Sequence, residues 1–212
     1  MNTQLTEVIF ILDRSGSMEH LTEETIGGFN SLIRQQQKEP GEVKVTTILF
    51  DDVTEVLHDC VPIAKIPRLT DREYYARGCT ALLDAVGSTI DRVGSRLAET
   101  PEDDRPAHVL FVITTDGYEN ASHSYTKSKV KEMISRQQSV YSWNFLFLGA
   151  NIDSVSEADS IGVRPCMAAN FSASEKGMRS TFKVTGKFLN CMKLSEANLD
   201  EATCASILSE TE

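Results

Sequence analysis

The chain has no run of lysine or arginine, no histidine or cysteine pair at metal-ligand spacing, and no stretch approaching the ~18 consecutive apolar residues of a membrane span. With a net charge of −10, the missing basic run excludes an ordinary nucleic-acid interface, because a polyanion is repelled unless cationic residues gather on one face. Five cysteines, Cys60, Cys79, Cys166, Cys191 and Cys204, are an odd number without a CxxC. They argue against a disulfide framework or zinc cluster and are expected to be reduced thiols of a cytoplasmic protein. The four histidines, His20, His58, His108 and His123, read as surface or capping residues. Residues 1–5 contain neither a basic leader nor the apolar core of a signal peptide, so neither export nor membrane insertion is expected. Internal repeats, low-complexity tracts and interdomain linkers are also missing.

What remains is an ordinary globular composition, 41% apolar and 25% charged over 212 residues. A chain of this length buries about 70% of its unfolded surface, enough for one domain with one core. Residues 1–193 are expected to form that domain, and 194–212 a C-terminal helix or tail. The apolar run Ile9–Leu12 reads as a first strand, followed by a helix over Thr22–Gln37 with Ile26, Phe29, Leu32 and Ile33 at helical spacing. Gly27 and Gly28 inside that helix each cost about 1 kcal/mol relative to alanine, which implies close approach of another backbone or an irregular start. Val43–Phe50 and Thr54–Val61 read as strands joined by the short Asp51-Asp52-Val53 turn, the second antiparallel and at an edge.

Ala81–Ala98 is a second helix with the stripe Leu82, Leu83, Val86, Ile90, Val93 and Leu97, and Val109–Ile113 a strand after a polar loop at 100–106. Further on come a helix over Ser128–Gln138, a buried strand over Trp143–Leu148, a short strand over Val163–Ala168, and a closing helix over Ala173–Lys193. Met178, Phe182, Phe188 and Leu189 are candidates for burial there. Strands alternating with helices predict an α/β fold: three layers, α/β/α, doubly wound on a mostly parallel central sheet with one antiparallel edge strand. In such sheets ligands gather beyond the carboxyl ends of the strands.

The first strand stops abruptly at Asp13-Arg14-Ser15-Gly16-Ser17, three oxygen-bearing side chains at alternate positions on a turn before a helix. Gly78-Cys79-Thr80-Ala81-Leu82 adds a hydroxyl at another helix start, and Thr114-Thr115-Asp116-Gly117 a carboxylate at another strand end. Each piece alone also fits a turn or a helix cap. Together, Asp13, Ser15, Ser17, Thr80 and Asp116 are a hard, oxygen-only set of two carboxylates and three hydroxyls. Mg²⁺ suits such a set best; Mn²⁺ can substitute, whereas Ca²⁺ is compatible but usually demands more carboxylates.

This ordered set resembles the metal-ion-dependent adhesion site (MIDAS) of the von Willebrand factor type A (VWA) family, including its stand-alone bacterial members. The blocks 10–18, 78–85 and 113–120 all look like that family's, and the resemblance covers roughly residues 5–165. It implies a Rossmann-like VWA fold in which Ser15, Ser17 and Thr80 touch the metal directly while Asp13 and Asp116 hold its waters or bind it. It also implies an open coordination position filled by an Asp or Glu of a partner protein. Cys79 departs from the glycine that many relatives carry beside this threonine.

The function expected from these residues is a non-enzymatic, metal-dependent adaptor or scaffold, monomeric on its own, that recognises an acidic residue of a protein partner, with no nucleic acid and no membrane involved. Two alternatives stand beside it. One is a Mg²⁺-dependent phosphohydrolase, disfavoured because the DxDx[TV] turn of haloacid-dehalogenase-like phosphatases lacks its second acid here, no lysine sits in a glycine-rich phosphate loop, and no GxSxG elbow occurs. The other is a structural subunit in which the metal only staples three loops.

Overall fold

The computed structural model describes residues 1–194 and 199–209. Six strands, β1 (Asn2–Asp13), β2 (Glu42–Phe50), β3 (Thr54–Pro62), β4 (Pro106–Thr115), β5 (Asn144–Gly149) and β6 (Ala168–Asn170), form one sheet in the order β3-β2-β1-β4-β5-β6. Only β3 runs antiparallel, on β2 at one edge; the remaining neighbours are parallel. Helices α1 (Thr22–Gln36), α2 (Leu82–Glu99), α3 (Lys127–Tyr141), α4 (Ser154–Ser160), α5 (Glu175–Leu194) and α6 (Glu201–Leu208) flank the sheet. Pairing of α1 with α5 and of α2 with α3 makes the two outer layers.

The inner strands are apolar without alternation because both faces are covered: Val8 through Leu12 are all buried. A buried charge interrupts β1 partway along. Glu7, buried in β1, is paired with Arg96 of α2, whose Nη1 also donates to Glu7 Oε2 at 3.2 Å. The whole predicted stripe of α2 is buried, as are Phe29, Leu32 and Ile33 of α1 and all four candidates on α5; Ile26 is half-buried. The two glycines of α1 differ. Gly28 faces α5, where a Cβ would stand 2.2 Å from a ring carbon of Phe182, whereas a Cβ on Gly27 would meet nothing within 4 Å. The close approach is therefore to a side chain of a neighbouring helix, and only Gly28 requires it.

Two elements differ from expectation, and the C-terminal segment takes one of the forms expected of it. The last strand is Ala168–Asn170, not Val163–Ala168: Pro165 has no N–H to give a ladder and instead opens a 3₁₀ turn, Pro165–Met167, with Val163 and Met167 buried at its ends. Helix α4 was not anticipated; it is short, and Asp153 caps it by accepting from the Ser156 amide at 3.0 Å. In the tail, α6 is capped by Asp200, which accepts from the Thr203 amide at 2.7 Å, and buries Cys204, Ile207 and Leu208 in the common core. The expected tail also spans 195–198 and 210–212, which lie outside the described residues.

Candidate metal centre

Because β1 and β4 are adjacent and parallel, with Leu12 opposite Thr114, their carboxyl ends deliver Asp13 and Thr115-Asp116 side by side. The Thr115 hydroxyl donates to Asp13 Oδ2 at 2.6 Å, and the Ser15 amide donates to Asp13 Oδ1 at 2.7 Å. Asp13 is thus held from both sides. The Ser15 and Ser17 hydroxyls are 3.1 Å apart, and Ser17 donates to Asp116 Oδ1 at 2.5 Å. A Cβ placed on Gly117 would stand 3.7 Å from both Ser17 Oγ and Thr80 Oγ1, so the two hydroxyls face one small space that glycine leaves open. All five expected residues converge on this place. Asp13, Ser15, Thr80 and Asp116 are 1%, 2%, 3% and 4% exposed, whereas Ser17 lies at the open surface.

The donor set is short of protons. Asp116 Oδ2 is buried and has no hydrogen-bond partner. Burial pushes the Asp13 carboxyl up to about 6, against the hydrogen bonds from Thr115 and Ser15, and the negative charge of Asp116 adds to the rise. Two crowded carboxylates, one with an unserved oxygen, beside three hydroxyls fit a hard divalent cation, which would relieve both the repulsion and the missing partner. No group of three or more His, Cys, Asp or Glu side chains that could hold a metal ion occurs among the described residues, at this centre or elsewhere, so hydroxyls would have to supply most of the donors. The same chemistry extends to Mg²⁺ and Mn²⁺ alike.

Several residues that hold the centre were not singled out in the sequence. Arg14, between two of the oxygen donors, turns away from them into the core and is fully buried. Its Nε donates to Asp51 Oδ2 at 2.8 Å, Arg77 Nε donates to the same oxygen at 2.7 Å, and Arg14 Nη2 pairs with Glu55 at 2.9 Å. Burial raises the Asp51 pKa, but donation from Arg77, the Val53 amide and Arg14 outweighs it and holds the carboxyl below its usual range. Tyr74, also fully buried, donates its hydroxyl to the Asp13 carbonyl at 2.5 Å.

Main-chain bonds then clasp the loops together. The Gly16 amide donates to Gly78 O at 3.1 Å, Arg77 N to Arg14 O at 2.8 Å, and Ala81 N to Asp51 O at 2.8 Å. Gly78 has φ +66°, a conformation that favours glycine. The loop after β4 is tied to the start of α2: the Thr80 amide donates to Asn120 Oδ1 at 2.9 Å, and Asn120 N returns to Thr80 O at 3.0 Å. Glu119 accepts from the Leu83 amide at 2.8 Å, and Asp84 from the amides of His123, Ser124 and Tyr125. The one available signal was the polar density of 117–126, which sequence spacing does not assign to partners.

No protein-family model matches the sequence, and no curated protein does. Solved structures do. Proximal thread matrix protein 1 of the mussel byssus, in a form described with a zinc-occupied MIDAS motif, is 15% identical with TM-score 0.57 over 85% of this chain and 46% of its own. A von Willebrand factor type A protein from Catenulispora acidiphila is 14% identical, with TM-score 0.56 over 85% of this chain and 42% of that one. Manganese-loaded TRAP protein of Plasmodium vivax is 15% identical, with TM-score 0.55 over 85% and 73%. The chain thus spans less than half the length of the mussel protein. At these identities the likeness is one of fold, and the fold is that of VWA domains.

Proposed function

We propose that this chain is a VWA-family module that recognises a protein partner through a divalent cation, with Mg²⁺ as the resident ion. The observation that carries this reading is the buried, unpartnered Asp116 Oδ2 at a pocket where the hydroxyls of Ser15, Ser17 and Thr80 meet. Ser15, Ser17 and Thr80 are the direct oxygen donors in this proposal, with Asp13 and Asp116 behind them. When bound, the ion supplies a Lewis-acidic position for an incoming carboxylate. The chain's own residues prepare that position: three of the five side chains are neutral, so the ligand set leaves charge for an Asp or Glu of the partner to satisfy.

The reading is of a binding protein and not an enzyme, since the turn after β1 carries no second carboxylate to serve as acid or base and the oxygens present suit holding a ligand. Five free thiols fit a reducing compartment, and a bacterial cytoplasmic adaptor, monomeric alone, is the setting proposed here. No described helix is long and apolar enough to cross a membrane. The test is thermal unfolding after EDTA treatment, titrated with Mg²⁺, Mn²⁺ and Ca²⁺, for wild type and Thr80→Ala. A ligand that binds only the native state raises stability with concentration. A saturable Mg²⁺ shift in wild type, lost in Thr80→Ala together with retention by an Asp-bearing partner, is expected; equal shifts in both proteins would remove the site from the function.

A further inference from the structure

Beside the metal centre, the segment ahead of Thr80 carries an arginine that is held from inside the fold. The Arg77 amide donates to Arg14 O at 2.8 Å, and Gly78 O accepts from the Gly16 amide at 3.1 Å, so this segment is bonded to the turn after β1 on both sides of Ser15. Thr80 follows three residues on. Arg77 Nε donates at 2.7 Å to Asp51 Oδ2, a fully buried oxygen that also accepts from Arg14. Arg77 Nη1 donates to the Tyr75 hydroxyl at 2.9 Å. Both guanidiniums lie against the Tyr75 ring, with Arg77 Cζ 5.2 Å and Arg14 Cζ 5.7 Å from its centroid. A long arginine side chain ordinarily loses rotamer freedom when it takes a ligand; here a buried carboxylate and an aromatic ring have already fixed it.

Two donors are left over. Among the described residues, neither Arg77 Nη2 nor the Tyr75 O–H donates to an acceptor: the tyrosine oxygen takes the Nη1 proton and keeps its own to give. Both groups reach water, the Arg77 side chain being 40% exposed and Tyr75 42%. The neighbouring carboxylate of Glu55 pairs instead with Arg14 Nη2 at 2.9 Å. A guanidinium N–H and a phenol O–H side by side match the two oxygens of one carboxylate, whereas an apolar side chain would leave both unserved and a lysine would be repelled.

We infer that Arg77 and Tyr75 form a cradle for a second carboxylate of the partner, so that the segment recognised is an acidic one bearing two Asp or Glu residues, one for the metal and one for this pair. The inference rests on the metal-dependent reading above and narrows it from any acidic residue to a pair of them. Geometry limits their separation. The three residues from Arg77 to Thr80 span at most about 10 Å, and an extended chain advances about 3.3 Å per residue, so the second acid falls about two to four residues from the first. Arg77 is then the residue that sets specificity, Asp51 the one that positions it, and Tyr75 the second donor.

The probes are short labelled Gly/Ser peptides carrying one Asp, and the same peptides with a second Asp placed two, three or four residues away on either side. Binding to the full chain is read by fluorescence anisotropy in Mg²⁺ and in EDTA, next to the Mg²⁺ melting shift. In Mg²⁺ at least one two-acid peptide should bind about tenfold tighter than the one-acid peptide, the factor expected of a charge-assisted hydrogen bond. That preference should shrink severalfold in Tyr75→Phe, which removes the hydroxyl alone, and in Arg77→Lys, which keeps a cation for Asp51 but loses the fork, while affinity for the one-acid peptide stays constant. Equal affinity for one-acid and two-acid peptides, no binding at any spacing, or a preference that survives both variants as a diffuse charge effect would each overturn the inference. The melting shift separates the two readings: a Mg²⁺ shift without a two-acid preference removes the cradle alone, whereas no shift removes the metal reading and the cradle with it.

Discussion

Replacing Thr115 with valine removes one hydroxyl and keeps the side chain's branching. In the wild type that hydroxyl lies 2.6 Å from Asp13 Oδ2 and 3.1 Å from Gly117 O, so its proton goes to the nearer, charged acceptor. A hydrogen bond to a charged group contributes about 1.5–3 kcal/mol, and one pKa unit corresponds to about 1.4 kcal/mol. The Asp13 pKa, about 6 in the folded protein, should therefore rise by a further ~1–2 units. Its direction fixes the sign. A carboxyl raised above its usual 3.8 binds its proton more tightly when folded, so through this group the metal-free protein gains stability as pH falls through 6 toward 4 and loses it as pH rises. Cation binding needs the carboxylate and competes with that proton, so stabilisation by Mg²⁺ should fade below pH 6 in wild type and already near pH 7–8 in Thr115→Val. The assay is the Mg²⁺-induced melting shift measured from pH 5 to 9, with the Asp13 carboxyl carbon followed by NMR. An unchanged pH midpoint for both readouts in Thr115→Val would refute the reasoning.

Gly117→Ala should leave metal-free stability within about 0.5 kcal/mol, since its Cβ meets only ordinary contacts at 3.7 Å, yet abolish the Mg²⁺ melting shift by filling the space between Ser17 and Thr80. Arg14→Met should lower stability by about 3–5 kcal/mol in urea unfolding, because it unpairs part of a fully buried carboxylate; a loss under 1 kcal/mol would mean that Arg77 alone satisfies Asp51. Gly28→Ala should cost about 1–3 kcal/mol by forcing α1 off Phe182, and Phe182→Leu in the same chain should return most of it, a coupling read in a double-mutant cycle.

The parts of the molecule legible in sequence are those written in local patterns. Val109–Ile113 and Ile9–Leu12 announce strands buried on both faces, and the α2 stripe from Leu82 to Leu97 repeats at helical spacing. The five candidate site residues could be picked out for the same reason, since they fall where a strand closes or a helix opens. Arg14 was not, because its orientation is set by Asp51 across the neighbouring strand and by Glu55 beyond it, and nothing adjacent to Arg14 encodes either. Thr115 was read only as part of the strand-end block that carries Asp116; its role follows from the β1–β4 register, which sequence does not fix. Strand β6 has three residues, too few to show a period, and Pro165 shifts it to later positions.

Helix α2 begins two residues after Thr80, so its amino end, with the partial positive charge of its first-turn amides, lies close in the chain to a residue proposed to hold a cation. Left bare, that end would repel the ion. Asp84 lies in its first turn, and the Glu119 carboxylate accepts from the Leu83 amide of the same turn. Two formal negative charges therefore sit on the positive pole of the helix macrodipole and reverse its sign where it faces the loops. The clamps that anchor the 117–126 loop thus have an electrostatic role as well, and in Glu119 the two are inseparable: one oxygen accepts from the Leu83 amide and the other from the amides of Ala121 and Ser122, so a neutral Glu119→Gln would lose hydrogen bonds along with the charge.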